Sequence, residues 1–365
     1  MLFLATSPGE TRDVPARLIS ARRIAVPLLF VSAILVAFAI IPAVGTDYWF
    51  NAILIPFLIM AIAGLGLNLT MGYAGQASLG SGAFMAIGAY ATYNLLLRLP
   101  ALPLPASLVL GGLVSGLVGL LVGLPSLRIK GFYLIATTLA AQFLIEWTLN
   151  QYGWFSNYAS SSSISAPHLA FLGFDLSSPL RRYLLALTSA LVVTLVAYRL
   201  VRSTTGRAWM AIRDMDTAAA VIGIPVARFK LQAFFVGAFV CGIAGALWAF
   251  AYLGTVDARS FDLDRSFQVL FIIIIGGMGS IAGPYVGAAF IVLLPILMDR
   301  LSSVLLGTSV DGGQLQNLQH VFFGALIIWL LIKEPLGLVA LFRRLVAQSP
   351  RSRAKSSPLD PETNA

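Results

Sequence analysis

Residues 231–256 read LQAFFVGAFVCGIAGALWAFAYLGTV and contain no Asp, Glu, Lys or Arg. A second long stretch, from Ile24 to Leu97, has Asp47 as its only charged side chain. An α-helix needs about 20 apolar residues to cross the roughly 30 Å hydrocarbon core of a bilayer, and both stretches exceed that length. The sequence therefore predicts membrane-spanning helices.

The composition of the whole chain supports the same class. Of its 365 residues, 58% are hydrophobic and 11% are charged, whereas soluble domains carry about 25% charged residues. This composition excludes a water-soluble enzyme. The net charge of +9 would suggest nucleic acid as a partner in a soluble protein, but the Lys and Arg residues fall mainly in the tails and one connecting loop. We read them as a topology signal and expect no nucleic-acid partner.

The apolar runs predict an all-α, polytopic membrane protein with about ten transmembrane helices, some broken by Gly or Pro. Eight or nine spans are the alternatives. The predicted spans are residues 24–41, 52–70, 77–97, 106–124, 132–149, 183–201, 231–253, 267–278, 284–298 and 320–341. The run at 267–278 is too short for a straight crossing and suggests a broken or re-entrant helix. The run at 24–41 also allows a cleaved signal peptide, although its length favours an anchor.

Lys and Arg are retained on the cytoplasmic side of short loops, which orients the chain. We predict a cytoplasmic N-terminal arm (1–23), a transmembrane domain (24–342) and a disordered cytoplasmic tail (343–365). Within the domain, about 150–182 is an external loop and about 202–230 a cytoplasmic loop. Three arginines fall on the opposite side and do not fit this pattern: Arg98, Arg181 and Arg182.

The basic loop contains an amphipathic segment. A helix over residues 208–223 gathers apolar and charged side chains on opposite sides. The apolar side has Trp209, Ile212, Ala219 and Ile222, and the charged side has Arg213, Asp214 and Asp216. Gly223 and Pro225 are typical of a helix end. Such a helix lies on the membrane or docks into a partner, and a plain interfacial connector is the alternative.

Four segments in order resemble one family, the permeases of branched-chain amino acid ABC transporters. The loop STTGRAWMAIRDMDTAAAVIGIPVARFKLQAF at 203–234 closely resembles the cytoplasmic loop of those permeases. The other segments are NLTMGYAGQASLG at 68–80 with GAY at 88–90, LRIKGFY at 127–133, and GGMGSIAGP at 276–284, followed by EPLGL at 334–338. Chain length and the LRIKG segment resemble the longer permease of such transporters, including urea-transport relatives.

The resemblance implies a multi-pass protein of the bacterial inner membrane with both termini in the cytoplasm. It implies an importer in which a second permease subunit, two cytoplasmic ATPase subunits and a periplasmic solute-binding protein complete the assembly. The chain has no Gly-x-x-x-x-Gly-Lys-Ser/Thr loop, so we expect it to be no enzyme and to bind no ATP. The residues implied to couple the loop to an ATPase are Gly206, Arg207, Arg213, Asp214, Ala218, Ala219 and Gly223. Thr217 stands where the general importer motif has glutamate.

The second candidate site is the segment from Asn68 to Gly80, where polar side chains would be costly against membrane lipid. Its residues proposed for the translocation path are Asn68, Gly72, Gln76 and Ser78, and helix packing is the alternative for the glycine. His168 and His320 have no second ligand at metal spacing, so we expect no metal, and no motif implies a cofactor. The single cysteine, Cys241, excludes an intramolecular disulfide.

Branched-chain or other amino acids are the expected substrates. Residues 156–167, SNYASSSSISAP, depart from the Thr-Gly-Gly-like stretch of many relatives, so urea or short amides are the near alternative. An ATP-independent secondary transporter is a rival of another class, which the scarcity of acidic residues inside the spans disfavours. A membrane-embedded hydrolase lacks a nucleophile and base at plausible depth.

Overall fold

A computed structural model describes residues 37–38, 41–99, 102–127, 131–158, 164–165, 170–171, 174–175, 178–305, 321, 324–325, 328, 332 and 337–341. The chain divides into two compact units, residues 1–49 and 50–365. The helix α1 (Ile41–Val44) belongs to the first unit. All contacts discussed below lie within the second unit.

The second unit is built of helices. Its α-helices are α2 (Ile55–Leu67), α3 (Ser81–Arg98), α4 (Leu104–Gly123), α5 (Phe132–Gln151), α6 (Pro179–Arg202), α7 (Thr204–Asp214), α8 (Asp216–Val221), α9 (Val226–Leu247), α10 (Leu263–Gly276) and α11 (Gly283–Leu305). Turns of π-helix extend α2 and α9, at Trp49–Leu54, Asn68–Tyr73 and Trp248–Leu253. Turns of 3-10 helix lie at Leu124–Leu127 and Ala258–Phe261.

Four two-residue strands complete the described structure. They are β1 (Ile164–Ser165), β2 (Ala170–Phe171), β3 (Phe174–Asp175) and β4 (Thr255–Val256). β1 pairs antiparallel with β4, with Ile164 opposite Val256, and β2 pairs antiparallel with β3. The β1–β4 pair ties residues of the predicted external loop to the end of the α9 helix.

The predicted all-α membrane fold is confirmed. Among the described residues, four helices are long and apolar enough to cross a membrane, which is fewer than the ten predicted spans. They are Trp49–Tyr73, Leu104–Gly123, Pro179–Arg202 and Val226–Leu253, and Gly283–Met298 is a shorter apolar helix. The predicted spans 77–97, 132–149 and 267–278 correspond to α3, α5 and α10. The spans predicted at 24–41 and 320–341 lie largely outside the described residues.

Two of the long apolar helices differ in how deeply they are buried. In the helix Val226–Leu253, 83% of the apolar window is buried inside the protein, against 33% for Pro179–Arg202. The α9 helix therefore lies at the centre of the bundle. It packs against α2, α3 and α4, and against the 3-10 turn between α4 and α5. α3 and α9 lie so close together that a side chain at Gly88 would overlap the backbone of Gly242. Such contact between small residues is the usual way that membrane helices associate.

Two interruptions of the helices position the candidate site. Residues 74–80 separate the end of α2 from Ser81, so α3 begins four residues later than the predicted span. Residues 277–282 separate α10 from α11, as the shortness of the predicted span 267–278 suggested. Non-helical backbone at membrane depth must be buried in protein or line a cavity, because lipid cannot satisfy its polar groups.

Candidate functional site

The loop between α6 and α9 contains two helices where the sequence predicted one. α7 ends at Asp214, Met215 is extended at φ −160° and ψ 104°, and α8 begins at Asp216. The prediction of a continuous helix over 208–223 is therefore wrong at one residue. The predicted stop is confirmed, because Gly223 has a φ of +89°, which glycine adopts without strain.

The apolar side chains of this loop pack against the helix bundle, and we call this buried base the root of the loop. The Trp209 side chain is fully buried, and its Nε1 donates a hydrogen bond to the Phe229 carbonyl oxygen at 3.0 Å. Ile212 and Ala219 are also buried. The fourth predicted member, Ile222, is instead 73% exposed. The root of the loop is thus fixed on the bundle, while Ile222 near its tip is exposed.

An ion pair that the sequence did not reveal holds α8 against α9. The Lys230 Nζ lies 2.8 Å from Asp216 Oδ2, and the two side chains are 9% and 21% exposed. The sequence predicts Asp216 on the charged side of the loop helix and does not pair it with Lys230. Because the pair is largely removed from water, each charge depends on the other to offset its cost of desolvation.

Arg213 extends from α7 to the end of α2. Its Nη1 donates a hydrogen bond to the Gly72 carbonyl oxygen at 3.0 Å. Its Nε and Nη2 both donate to Asp214 Oδ1, at 3.1 and 2.9 Å. One predicted loop residue therefore contacts one predicted path residue, 141 positions away in sequence.

Asn68 joins the same place to the interruption between α10 and α11. Its Nδ2 donates to the Ser280 carbonyl oxygen at 2.8 Å, and its Oδ1 accepts from the Gly279 backbone N–H at 2.9 Å. The side-chain amide thus pairs with peptide groups in the turn between α10 and α11. We call Asn68, Gly72, Arg213, Gly279 and Ser280 the glycine junction.

Gly72 is required by the closeness of its neighbours in the glycine junction. A side chain at this position would overlap the Asn68 Oδ1 and the Gly279 backbone nitrogen. The alternative of helix packing is thus closer to the observed role of this glycine than contact with an open path. Its carbonyl oxygen accepts the hydrogen bond from Arg213.

Gln76 and Ser78 lie next to the glycine junction without belonging to it. Gln76 Nε2 donates to the Lys230 carbonyl oxygen at 3.1 Å, and Gln76 Oε1 is buried with no partner among the described residues. Ser78 Oγ accepts from the Gly80 N–H at 3.3 Å within the turn that precedes α3. A cleft of about 350 Å³ adjoins this region and is lined by Gly75, Gln76, Arg213, Asp214, Asp216 and Lys230, among others.

The other predicted loop residues lie away from the glycine junction. Arg207 is exposed and its Nη1 donates to the Arg202 carbonyl oxygen at 3.2 Å. Ala218 and Gly223 are exposed on α8 and just after it. Gly206 is buried against Val201, whose backbone leaves no space for a side chain there.

A second buried polar cluster was missed by the sequence reasoning. Gln142 Oε1 accepts from the Ala83 N–H at 2.6 Å and from Ser266 Oγ at 3.1 Å, and its Nε2 donates to the Phe261 carbonyl oxygen at 2.8 Å. Ser266 Oγ in turn accepts from the Gly82 N–H at 2.8 Å. We call Gly82, Ala83, Gln142, Phe261 and Ser266 the glutamine joint. A lone glutamine inside the apolar span 132–149 was the signal available for it.

The glutamine joint connects the first turns of α3 and α10. The N–H groups of a helix's first turn have no partner inside the helix. Ser266 Oγ accepts from the Gly82 N–H and Gln142 Oε1 accepts from the Ala83 N–H, and both hydrogen bonds are buried. Two helices that begin inside the bundle are thereby fastened to each other and to α5.

The amino-acid sequence matches that of a known protein family. Residues 50–331 match the model of the permease component of branched-chain amino acid transport systems. The chain belongs to this family. The match includes both interruptions, the loop between α6 and α9, and every residue of the glycine junction and the glutamine joint. It confirms the family that the sequence motifs had indicated.

Individual relatives agree with the family. The chain is 33% identical over 308 residues to the high-affinity branched-chain amino acid transport system permease protein LivM of Salmonella typhimurium, covering 78% of this chain and 69% of that protein. It is 31% identical over 318 residues to LivM of Escherichia coli, with the same coverage. A probable LivM of Methanocaldococcus jannaschii is 25% identical over 330 residues, 79% of this chain and 92% of that one. No solved structure matches the chain.

Proposed function

We propose that this chain is the permease subunit of an ABC importer that carries branched-chain or related amino acids through the bacterial inner membrane. Two cytoplasmic ATPase subunits drive it, a second permease shares the translocation path, and a periplasmic binding protein delivers the substrate. Both chain termini and the loop 202–230 face the cytoplasm in this proposal. Membership of the permease family and the substrates in the names of the relatives support it.

The shape of the loop between α6 and α9 carries the proposal of an ATPase partner. Its tip exposes three large apolar side chains in a region otherwise rich in charge. Met215, Val221 and Ile222 are 60%, 87% and 73% exposed. Exposed apolar side chains next to charged ones are typical of a surface that docks into a groove of another protein. Because Trp209 and Ile212 fix the root, force on the tip reaches the bundle.

The glycine junction supplies the route by which that force reaches the spans. Arg213 transmits displacement of α7 to the Gly72 carbonyl, and Asn68 couples the same turn to Gly279 and Ser280. α2, α10 and α11 would then move together. Closure of the ATPases would be converted into a rigid-body shift of helices around the path, which is a common form of switching in proteins.

The residues Asn68, Gly72, Gln76 and Ser78 stay our candidates for the translocation path. Their contacts favour a particular role within it, that of a gate at its cytoplasmic end. Asn68 and Gly72 hold the two helix interruptions together. Gln76 Oε1 is buried without a hydrogen-bond partner among the described residues, and a passing solute or water could offset the free-energy cost of that burial. Movement of the glycine junction would open this gate.

Reconstitution tests the proposed function. The chain, its partner permease and its ATPases are placed in proteoliposomes with the binding protein, and uptake of radiolabelled leucine, isoleucine, valine and urea is measured with and without ATP. We expect uptake of the three amino acids that requires both ATP and the binding protein. Uptake of urea alone would favour the urea-transport alternative. Uptake without ATP would contradict the importer proposal and favour a secondary transporter.

A further inference from the structure

A groove at the far end of α3 from the glycine junction has no part in the proposed transport cycle. It is a cavity of about 510 Å³ between α3, α4, α5 and the turn that follows α5. This volume lies within the roughly 300–1,000 Å³ of typical ligand pockets. Apolar side chains from all three helices line it, including Ile87, Ala91, Val114, Val118, Leu144 and Ile145.

The groove opens on the outer face of the bundle. Val114 and Leu144, which line it, are 40% and 63% exposed. Neighbouring apolar side chains on the same helices, such as Leu117 and Phe143, are exposed as well. In a membrane protein such a face meets hydrocarbon, so the groove is open to the acyl chains of the bilayer.

One end of the groove is polar and cationic. Arg98 is exposed at the last turn of α3, and its guanidinium carbon lies 3.7 Å from the ring centroid of Trp154. Its Nη2 also donates a hydrogen bond to the Trp154 carbonyl oxygen at 3.4 Å. One turn deeper, Asn94 Nδ2 donates to the carbonyl oxygens of Tyr90 and Phe155, both at 3.0 Å. These contacts fasten the turn after α5 to α3 and hold the guanidinium in place at the mouth.

The length of the groove matches one leaflet of a bilayer. From Ile87 to Arg98 it follows α3 for 11 residues, which is roughly 16 Å at 1.5 Å per residue. Half of a hydrocarbon core of about 30 Å is roughly 15 Å. A Trp–Arg pair at one end is typical of the interface between hydrocarbon and headgroups, where aromatic rings and snorkelling cations concentrate.

We propose that this groove binds one acyl chain of an anionic phospholipid whose phosphate is held by Arg98. Burial of the chain against the apolar walls provides affinity, and the guanidinium selects negative charge. The proposal also explains why Arg98 does not follow the charge pattern of the loops. Its position serves a lipid contact in addition to any effect on topology.

Lipid retention by the complete transporter tests the proposal. The complex is purified in mild detergent, supplemented with phosphatidylglycerol or phosphatidylethanolamine, washed, and its bound lipids are counted by native mass spectrometry. We expect the unsubstituted complex to keep phosphatidylglycerol in preference to phosphatidylethanolamine. Arg98→Gln should lower phosphatidylglycerol retention about fivefold, since a basic residue near anionic lipid contributes about 1 kcal/mol. Arg259→Gln removes an exposed arginine outside the groove and should leave retention unchanged.

A second pair of variants tests the acyl-chain part separately. Ala91→Trp fills the groove and should abolish retention of both lipids, whereas Leu117→Trp places the same indole ring on an exposed face outside it and should not. Equal retention in Ala91→Trp and Leu117→Trp would overturn the proposal. So would a specific cross-link from Ala91→Cys to the second permease, because it would show a protein rather than a lipid in the groove.

Discussion

The glycine junction and the glutamine joint are both polar crossings between helices that start or stop inside the bundle, but they differ in charge and access. The glutamine joint is neutral, and its Gln142 and Ser266 side chains are 0% exposed. The glycine junction includes Arg213, whose side chain is 38% exposed and which lies beside the 350 Å³ cleft. One crossing is sealed inside the bundle, and the other is open at its edge to the loop between α6 and α9.

This difference in charge and access implies two roles: the glutamine joint holds helices in place, and the glycine junction moves. A fully satisfied, buried hydrogen-bond network rigidifies the helices that it joins, because any displacement leaves polar groups unpaired in a low dielectric. The glycine junction is not enclosed in this way, because it lies beside the 350 Å³ cleft and is bonded to α7 through Arg213. We therefore infer that the glutamine joint keeps α3, α5 and α10 in fixed register while the glycine junction is displaced together with α7.

Replacement of Gln142 by leucine should have the largest effect on stability. It leaves the Ala83 N–H, the Ser266 hydroxyl and the Phe261 carbonyl without their partner, and each unpaired buried group costs about 1–3 kcal/mol. Fluorescence-detected size-exclusion chromatography after heating should show a large loss of folded protein. Gln151→Leu, at the exposed end of the same helix, is the control and should behave as the unsubstituted chain. Equal stability of the two variants would contradict the structural role of the glutamine joint.

Replacement of Asn68 by leucine should have a smaller effect on stability and a larger one on transport. It leaves the Gly279 N–H without its partner, removes one of the two hydrogen bonds that the Ser280 carbonyl accepts, and uncouples the two helix interruptions. We expect uptake per folded transporter to fall by about tenfold or more, which is an increase of about 1.4 kcal/mol in the barrier. Asn51→Leu, at an exposed position before α2, is the matched control. A loss of uptake that merely follows protein abundance would indicate a packing role.

Replacement of Lys230 by glutamine should have a modest, local effect. It removes the ion pair between Lys230 and Asp216, so α8 should loosen while α7 remains held by Trp209. Hydrogen exchange should become faster at the amides of residues 216–221 and stay unchanged in α7. Arg228→Gln, at an exposed neighbouring position, should change neither. Unaltered exchange in α8 would show that the ion pair does not hold it.

The sequence predicted features that depend on local pattern and failed where distant residues meet. Apolar runs placed the spans, and Gly223 placed the end of the loop helix. Helical periodicity cannot detect a single extended residue, so the break at Met215 was missed. Gln142 and Phe261 are 119 positions apart, and no local pattern pairs them. The segments that resemble the family include both Asn68 and Arg213. They do not show that both side chains lie against Gly72.

Transmission through Arg213 is the central claim, and a pair of arginine variants tests it most directly. Arg213→Gln and Arg228→Gln each remove one exposed charge from the segment 202–230, but only the first breaks the bond to the Gly72 carbonyl. ATP hydrolysis and leucine uptake are measured in the same proteoliposomes. We predict that Arg213→Gln keeps ATP hydrolysis and loses about tenfold or more of uptake per ATP, while Arg228→Gln keeps both. Equal uptake per ATP in the two variants would contradict the claim.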